Sequence, residues 1–278
     1  MLHGWIPPSR FFAYLTTEDV ATMPGKGDVV VLQPVAAIEQ HGPHLPVAVD
    51  SAIVMGVLGH ALARLPAGVP CYCLPPICYG KSNEHIRFPG TVTVGASTLA
   101  ALLGEVADSV HRMGFRKLAF VNSHGGQPQV VQVAARDARE RHPDFDLFPL
   151  FVWNVPNASA EVLSPKELAE GIHAGAAETA LMMALLPDQV RMDKRLCEYP
   201  PALPAGSMLS TEGALPYAWL TDDLSRSGVI GDAIAATPAM GERLLESLAD
   251  GWAALIAELH RFHNPAAGRS APGSERSS

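Results

Sequence analysis

Between Glu39 and Asp50 the chain sets two carboxylates and two imidazoles within twelve residues, as Glu39-Gln-His41-Gly-Pro-His44-Leu-Pro-Val-Ala-Val-Asp50. Carboxylate and imidazole are the side-chain groups that hard and borderline divalent metals prefer. The cluster follows directly on the apolar run Val29-Val30-Val31-Leu32, so a buried strand delivers it to one end of a sheet. In an extended segment Glu39 and His41 point to the same side. Gly42-Pro43 then turns the chain, and Asp50 returns a carboxylate near the start of the next helix. Asp50 has two readings there: a carboxylate bridging two metals, or the N-cap of the helix. The chemistry this cluster suggests is metal-assisted hydrolysis, with further ligands drawn from elsewhere in the chain.

Three other stretches offer such groups. Asn122-Ser123-His124-Gly125-Gly126-Gln127 places a histidine at a strand-to-helix turn, where paired glycines let the backbone approach a ligand; the alternative is a tight turn whose histidine satisfies a backbone group. His173 and Glu178 are five apart, about 140° around one continuous helix. They converge only if His173 lies in the entering loop and Glu178 inside the helix, with Ala-Gly-Ala-Ala between them leaving space. A solvent-facing Glu178 is the alternative, but its neighbours Ala180, Leu181, Met182 and Met183 are apolar, and an unpaired carboxylate among them is costly. The loop 79–91 offers Ser82, Glu84 and His85 as candidate substrate contacts or as structural groups. His44 reads as a supporting or structural residue, and His3, His60, His111, His142, His260 and His263 as ordinary surface residues.

Other catalytic templates are absent: there is no Gly-x-Ser-x-Gly, Walker loop, Gly-x-Gly-x-x-Gly after the first strand, or His-Glu-x-x-His. Cys71, Cys73, Cys78 and Cys197 form neither a zinc-ribbon pattern nor a disulfide framework. They read as buried reduced thiols, with Cys71 and Cys73 on one face of a strand.

The elements that must position these groups are legible from periodicity. Asp28–Leu32, Val69–Leu74, Lys117–Val121 and Asp146–Val152 are short, apolar and rich in β-branched or aromatic residues, and are expected to be strands. Ser51–Leu65, Ala96–Met113 and Gln127–Arg141 carry apolar residues at helical spacing; Val54, Val57, Leu58 and Leu62 share one stripe. Such alternation implies a mostly parallel sheet with helices on both faces and ligands outside the carboxyl ends of the strands. Residues 199–235 are dense in Pro, Gly and Ser and read as a long functional loop, a lid, rim or subunit contact. A last amphipathic helix is expected over Ala239–His260.

With 278 residues, 48% of them hydrophobic and 17% charged, the chain is globular. One domain is expected over residues 1–263, followed by a small polar tail, 264–278, expected to be disordered. A net charge of −8 argues against nucleic acid or an anionic membrane as partner. No secretory signal is visible and no apolar run approaches the ~20 residues of a membrane span, so a cytoplasmic location is expected.

Taken together, Glu39-Gln-His-Gly-Pro-His-Leu-Pro with Asp50, Asn122-Ser-His-Gly-Gly, and His173-Ala-Gly-x-x-Glu-Thr resemble the creatininase family. Gly80-x-Ser-x-Glu-His-x-x-Phe-Pro-Gly-Thr91 and Trp219-Leu-Thr-x-Asp-Leu-Ser-x-Ser-Gly-Val-Ile-Gly-Asp232 add to the match, which runs in order from about residue 28 to about 240. The resemblance implies a three-layer α/β/α sandwich and a homo-oligomer, commonly a hexamer. It also implies an amidohydrolase site whose two divalent ions, zinc, manganese or iron, activate a bridging water. By that resemblance Glu39 and His124 bind one metal, His41 and Glu178 the other, Asp50 bridges them, and His173 is the catalytic acid/base. The chain departs from the creatinine-hydrolysing branch, which follows the ligand histidine with Tyr-Glu, that Glu binding metal. Gly125-Gly126 stands here, so the ligand role passes to Glu178. That branch also carries acidic and Trp residues where this chain has Glu170-Gly171-Ile172. The expected substrate is a small cyclic amide cleaved at a C–N bond. The alternatives are a cyclic ketone or lactone, a formamidopyrimidine to be deformylated, and a redox-cofactor precursor peptide.

Overall fold

The structure, a computed structural model, describes residues 1–265; most of the tail expected to be disordered lies outside the described residues. Four parallel strands, β1 (Val30–Val35), β2 (Cys71–Cys73), β3 (Lys117–Asn122) and β4 (Asp146–Phe151), form a sheet in the order β2-β1-β3-β4. A short antiparallel pair, β5 (Cys197–Glu198) with β6 (Gly231–Asp232), lies apart from it. The helices are α1 (Thr17–Thr22), α2 (Val49–Arg64), α3 (Ala96–Arg112), α4 (Pro128–Arg141), α5 (Ser159–Val162), α6 (Pro165–Glu170), α7 (Ala176–Leu185), α8 (Thr221–Leu224) and α9 (Pro238–Arg261). None of the described helices is long and apolar enough to cross a membrane.

Alternation along β1 and β3 divides the core into two layers. Val30, Leu32, Ala119 and Val121 face α2, α7 and α9, whereas Val31, Leu118 and Phe120 face α3 and α4. The expected α/β/α sandwich is therefore present. Helix α2 lies inside one layer and is buried over most of its surface, including Val54, Val57, Leu58 and Leu62. Helix α3 buries a single stripe, Leu99, Leu103, Ala107 and Val110.

Strand β1 starts and ends later than its apolar run suggests, because it continues through Gln33-Pro34 to Val35. Proline removes a ladder donor and is normally excluded from a central strand. Here the Pro34 carbonyl accepts from Ile77 N at 3.0 Å, so the proline's nitrogen faces the same side, where β2 has already ended at Cys73. No ladder bond is lost. Pro149 in β4 is tolerated for the related reason that β4 is an edge strand.

Several expectations are corrected. Asp50 is not an N-cap: it sits in the first turn of α2, whose N-cap is Ala48 with no side-chain hydrogen bond. His3 is buried between the rings of Phe11 and Tyr14, because the N-terminal segment folds back onto β2 through the Phe11–Cys73 bridge. Cys71 and Cys73 are buried on one face as expected, but Cys78 is half-buried and Cys197 lies exposed on the minor strand pair.

Helix α9 packs against α7 at Gly241, where an added Cβ would lie 1.9 Å from the Ala180 carbonyl oxygen and 3.3 Å from the Ala184 Cβ. The obstacle is backbone, so the helices would have to separate. Gly241→Val is expected to destabilise the protein by about 3 kcal/mol, the upper part of the range for overpacked cores. A urea midpoint equal to that of the wild type would show that the crossing can open freely.

Candidate metal centre

The carboxyl ends of β1, β2 and β3 lie side by side, and the loops leaving them carry the polar clusters toward one another. Ala36 N donates to the Ile77 carbonyl and Ser123 N to the Val35 carbonyl, tying the three exits together. Asn122 shapes the β3 exit: its amide donates to the His124 carbonyl at 2.8 Å and its carbonyl accepts from His124 N at 3.1 Å. Gln127 donates to Asn122 Oδ1 and to the Ala36 carbonyl. His124 is thus held over the end of β1.

His41 is 1% exposed. Its Nδ1 donates to the Glu39 carbonyl two residues back at 3.1 Å, which turns Nε2 toward the interior. That atom lies 3.8 Å from Glu178 Oε1, 3.9 Å from Glu39 Oε1 and 4.0 Å from Asp50 Oδ1. Burial opposes charge on His41, but the carboxylates of Glu178, Asp50 and Glu39 outweigh it and raise the imidazole to about 9. His124 Nδ1 lies 3.0 Å from Glu39 Oε2 and 3.6 Å from Asp50 Oδ2. One aspartate therefore faces both histidines, a different oxygen toward each. Burial and the adjacent Glu39 carboxylate push Asp50 well above the usual aspartate range. Glu39 is driven the other way: burial would raise it, but His124, His85 and His173 hold it well below its usual value.

His173 lies in the loop before α7, paired through its backbone with Ile230, and Glu178 lies within α7. The loop closes because Ala174 adopts φ 54°, the left-handed region that non-glycine residues rarely occupy. In that conformation Ala174 N donates to Glu178 Oε2 at 2.6 Å. His173 Nε2 donates to the Gln40 carbonyl at 2.6 Å, and its Nδ1 lies 3.7 Å from Glu39 Oε1. Its ring is sandwiched between His41 and His85, with centroids 4.1 and 4.2 Å away. Burial and those two imidazoles hold His173 well below its usual value, so it is neutral.

The loop after β2 supplies the remaining contacts. Ser82 Oγ donates to Glu39 Oε2. His85 Nδ1 is held by Gln40 Nε2 at 2.9 Å and by Thr221 Oγ1 at 2.8 Å, with its Nε2 3.6 Å from Glu39 Oε1. Glu84 Oε1 lies 3.0 Å from His124 Nε2. Burial would raise Glu84, but the contact with His124 and the nearby Lys81 bring it down to about 2. His44 stands one layer back, its Nε2 2.8 Å from the Thr179 hydroxyl. Gln40, Thr179 and Thr221 went unread as site residues in the sequence. Each neighbours a charged or motif residue, but its partner lies more than 130 residues away in at least one bond.

The donor set suits a divalent cation. His41 Nε2 and Asp50 Oδ2 are buried with no hydrogen-bond partner among the described residues, and buried polar atoms are rarely left so. Four overlapping trios, including Glu39–His41–Asp50 and His41–His173–Glu178, bring one ligand atom each within 4.8 Å of one another. Above them opens a cavity of about 830 Å³ whose walls include Phe151, Trp153, Tyr217 and Trp219. The last two belong to the Pro-, Gly- and Ser-rich segment expected to form a lid, rim or subunit contact.

The family described as creatininase (creatinine amidohydrolase) matches residues 13–256. The chain belongs to the creatininase family. It is a hydrolase, and solved members of its fold hold metal. It is 33% identical over 233 residues to the mycofactocin precursor peptide peptidase of Mycolicibacterium smegmatis, covering 81% of this chain and 83% of that one. It is 29% identical over 269 residues to the creatinine amidohydrolase of Pseudomonas putida, covering 90% and 97%. Among solved structures, a manganese creatininase superposes with a TM-score of 0.70 at 25% identity, covering 90% of this chain and 98% of that one. A mutant creatininase of Zn-Zn type gives a TM-score of 0.70 at 26% identity, covering 89% and 97%.

Proposed function

We propose that this creatininase-family hydrolase cleaves an amide C–N bond in a short peptide, with two divalent cations bound at the cluster. The observation that carries the metal reading is the pair of unpartnered buried atoms, His41 Nε2 and Asp50 Oδ2, facing a carboxylate-rich interior. His41 and Glu178 would hold one cation, Glu39 and His124 the other, and Asp50, with an oxygen toward each histidine, would join them. Bound cations would supply Lewis acidity and a water acidified into a nucleophile at neutral pH.

The chain's own residues do the rest. Gln40 fixes the His173 tautomer by accepting from Nε2, so Nδ1 is free to take a proton and later return it to the departing nitrogen. Rings on both sides hold the His173 imidazole in place. Aromatic walls at Phe151, Trp153, Tyr217 and Trp219 give apolar side chains a surface and exclude water from the reacting amide.

A peptide takes precedence over the small cyclic amide for two reasons. The cavity, about 830 Å³, is many times larger than a five-membered ring and falls in the range that encloses drug-sized ligands. The more similar of the two relatives above acts on a precursor peptide.

The test has two parts. Metal analysis of the purified protein is expected to return about two equivalents of Zn, Mn or Fe per chain. A hydrolysis screen of short peptides beside hydantoins, lactams, creatinine and formamidopyrimidines is expected to give turnover on peptides. A folded protein that takes up no metal would sink the mechanism; turnover confined to small rings would sink the substrate assignment.

A further inference from the structure

Gly126 leaves a space that is already filled. A Cβ built there would lie 1.5 Å from Glu84 Oε1, 2.5 Å from Glu84 Cδ and 2.6 Å from His124 Nε2. The Glu84 carboxylate thus occupies the place that any side chain at position 126 would need. It arrives from the loop after β2, while position 126 lies on the loop after β3.

Its seat is specific. One oxygen, Oε1, lies 3.0 Å from His124 Nε2. The other, Oε2, accepts from Lys81 Nζ at 3.1 Å, and the same ammonium donates to the Gly126 carbonyl at 3.1 Å. His124 Nε2 donates to the Lys81 carbonyl at 3.0 Å, and Glu84 Oε1 beside it has no hydrogen-bond partner among the described residues. The far side of the ring is therefore surrounded by acceptors, while Nδ1 faces Glu39 and Asp50. A histidine whose outer nitrogen carries the proton must present its inner nitrogen as a lone pair. Carboxylates placed behind metal-binding histidines fix the tautomer and ring angle in this way and raise the ligand's basicity.

We infer that Glu84 is a positioning residue for His124, locked in place by Lys81, and that glycine at 126 is required to admit it. Glu84 and Gly126 then form one device. Removing the carboxylate strips His124 of its neighbour, whereas filling position 126 would evict the carboxylate and also press on the His124 ring, 2.6 Å from the added Cβ. The inference rests on the reading of His124 as a metal ligand and assigns Glu84 to metal affinity, with no demand on the substrate.

The experiment measures Zn²⁺ affinity of the metal-free protein by chelator competition, with thermal melting alongside, for wild type, Glu84→Gln, Glu84→Ala, Gly126→Ala and the double variant Glu84→Ala/Gly126→Ala. Each single substitution is expected to weaken Zn²⁺ binding by about 10- to 100-fold. The double variant is expected to bind more weakly than Glu84→Ala, because the Cβ at 126 still meets the His124 ring once the carboxylate is gone. Glu84→Gln keeps the shape, so it retains the comparison where Glu84→Ala fails to fold. Wild-type affinity in both Glu84 variants would overturn the inference. A wild-type chain that binds no Zn²⁺ would instead overturn the metal reading beneath it.

Discussion

Substituting His173 by alanine is expected to lower kcat by about 100- to 10,000-fold, the usual worth of a positioned proton-transfer group, while the bound metal stays. The geometry separates the two effects. His173 spends Nε2 on the Gln40 carbonyl, and its free Nδ1 lies 3.7 Å from Glu39 Oε1. Neither atom can donate to the other in the neutral ring, so the gap is suited to a reacting group or a water. Burial and the flanking imidazoles of His41 and His85 favour that neutral ring, which can therefore act first as a base. The competing assignment is also concrete: His173 shares a possible ligand trio with His41 and Glu178, and another with Glu39 and His85. Metal analysis on the variant decides between them. Retained metal with lost turnover supports proton transfer; metal lost in proportion to activity makes His173 a ligand. His173→Asn, with one amide in place of the ring, should behave as the alanine variant does, because it cannot accept and release a proton near neutral pH.

Much of this arrangement is legible in the chain because local pattern and global position agree. Short β-branched runs alternate with helical stripes, so a parallel sheet follows, and its carboxyl ends fall where Glu39 and His124 stand. His173 and Glu178 could meet only across a loop–helix junction, and that is where they lie. What the sequence hides is of two kinds. Strand β1 runs three residues, Gln33-Pro34-Val35, beyond its apolar run because it pairs with β3 as far as Asn122, a fact of pairing rather than propensity. The layer behind the cluster is hidden for a different reason. The Glu84 seat depends on a glycine 42 positions away, and His85 depends on Thr221, separated from it by 136 positions. Spacing arguments work within one element. They carry nothing about which loop fills the gap left by another, so the contacts of Glu84 and His85 with Lys81, His124, Gln40 and Thr221 are hidden, although both residues also line the cavity.

Asp50→Ala is expected to abolish stable metal binding, and with it activity, rather than to slow a bound enzyme. Asp50 has an oxygen toward each of the two histidines that face the interior, at 4.0 Å from His41 Nε2 and 3.6 Å from His124 Nδ1. Its loss leaves each proposed cation short of a ligand and removes the charge that lets two cations sit close together. In metal-free protein the same carboxylate is a burden. Burial and Glu39 push it well above the ordinary aspartate range, so ionised Asp50 is held at a cost that folding must offset. Two consequences of opposite sign follow. Without metal, Asp50→Asn, which keeps the shape but not the charge, should melt at or above the wild-type temperature. With Zn²⁺ at about 100 to 1,000 times its dissociation constant, wild type should gain about 3–4 kcal/mol of stability by mass action, and the Asp50 variants should gain almost none. Differential scanning calorimetry with and without metal reads both. A full metal-dependent gain in Asp50→Ala would mean that the two cations, if both bind, are joined by Glu39 instead. Glu39 has one oxygen 3.9 Å from His41 and the other 3.0 Å from His124, which makes it the group that would then inherit the bridging role.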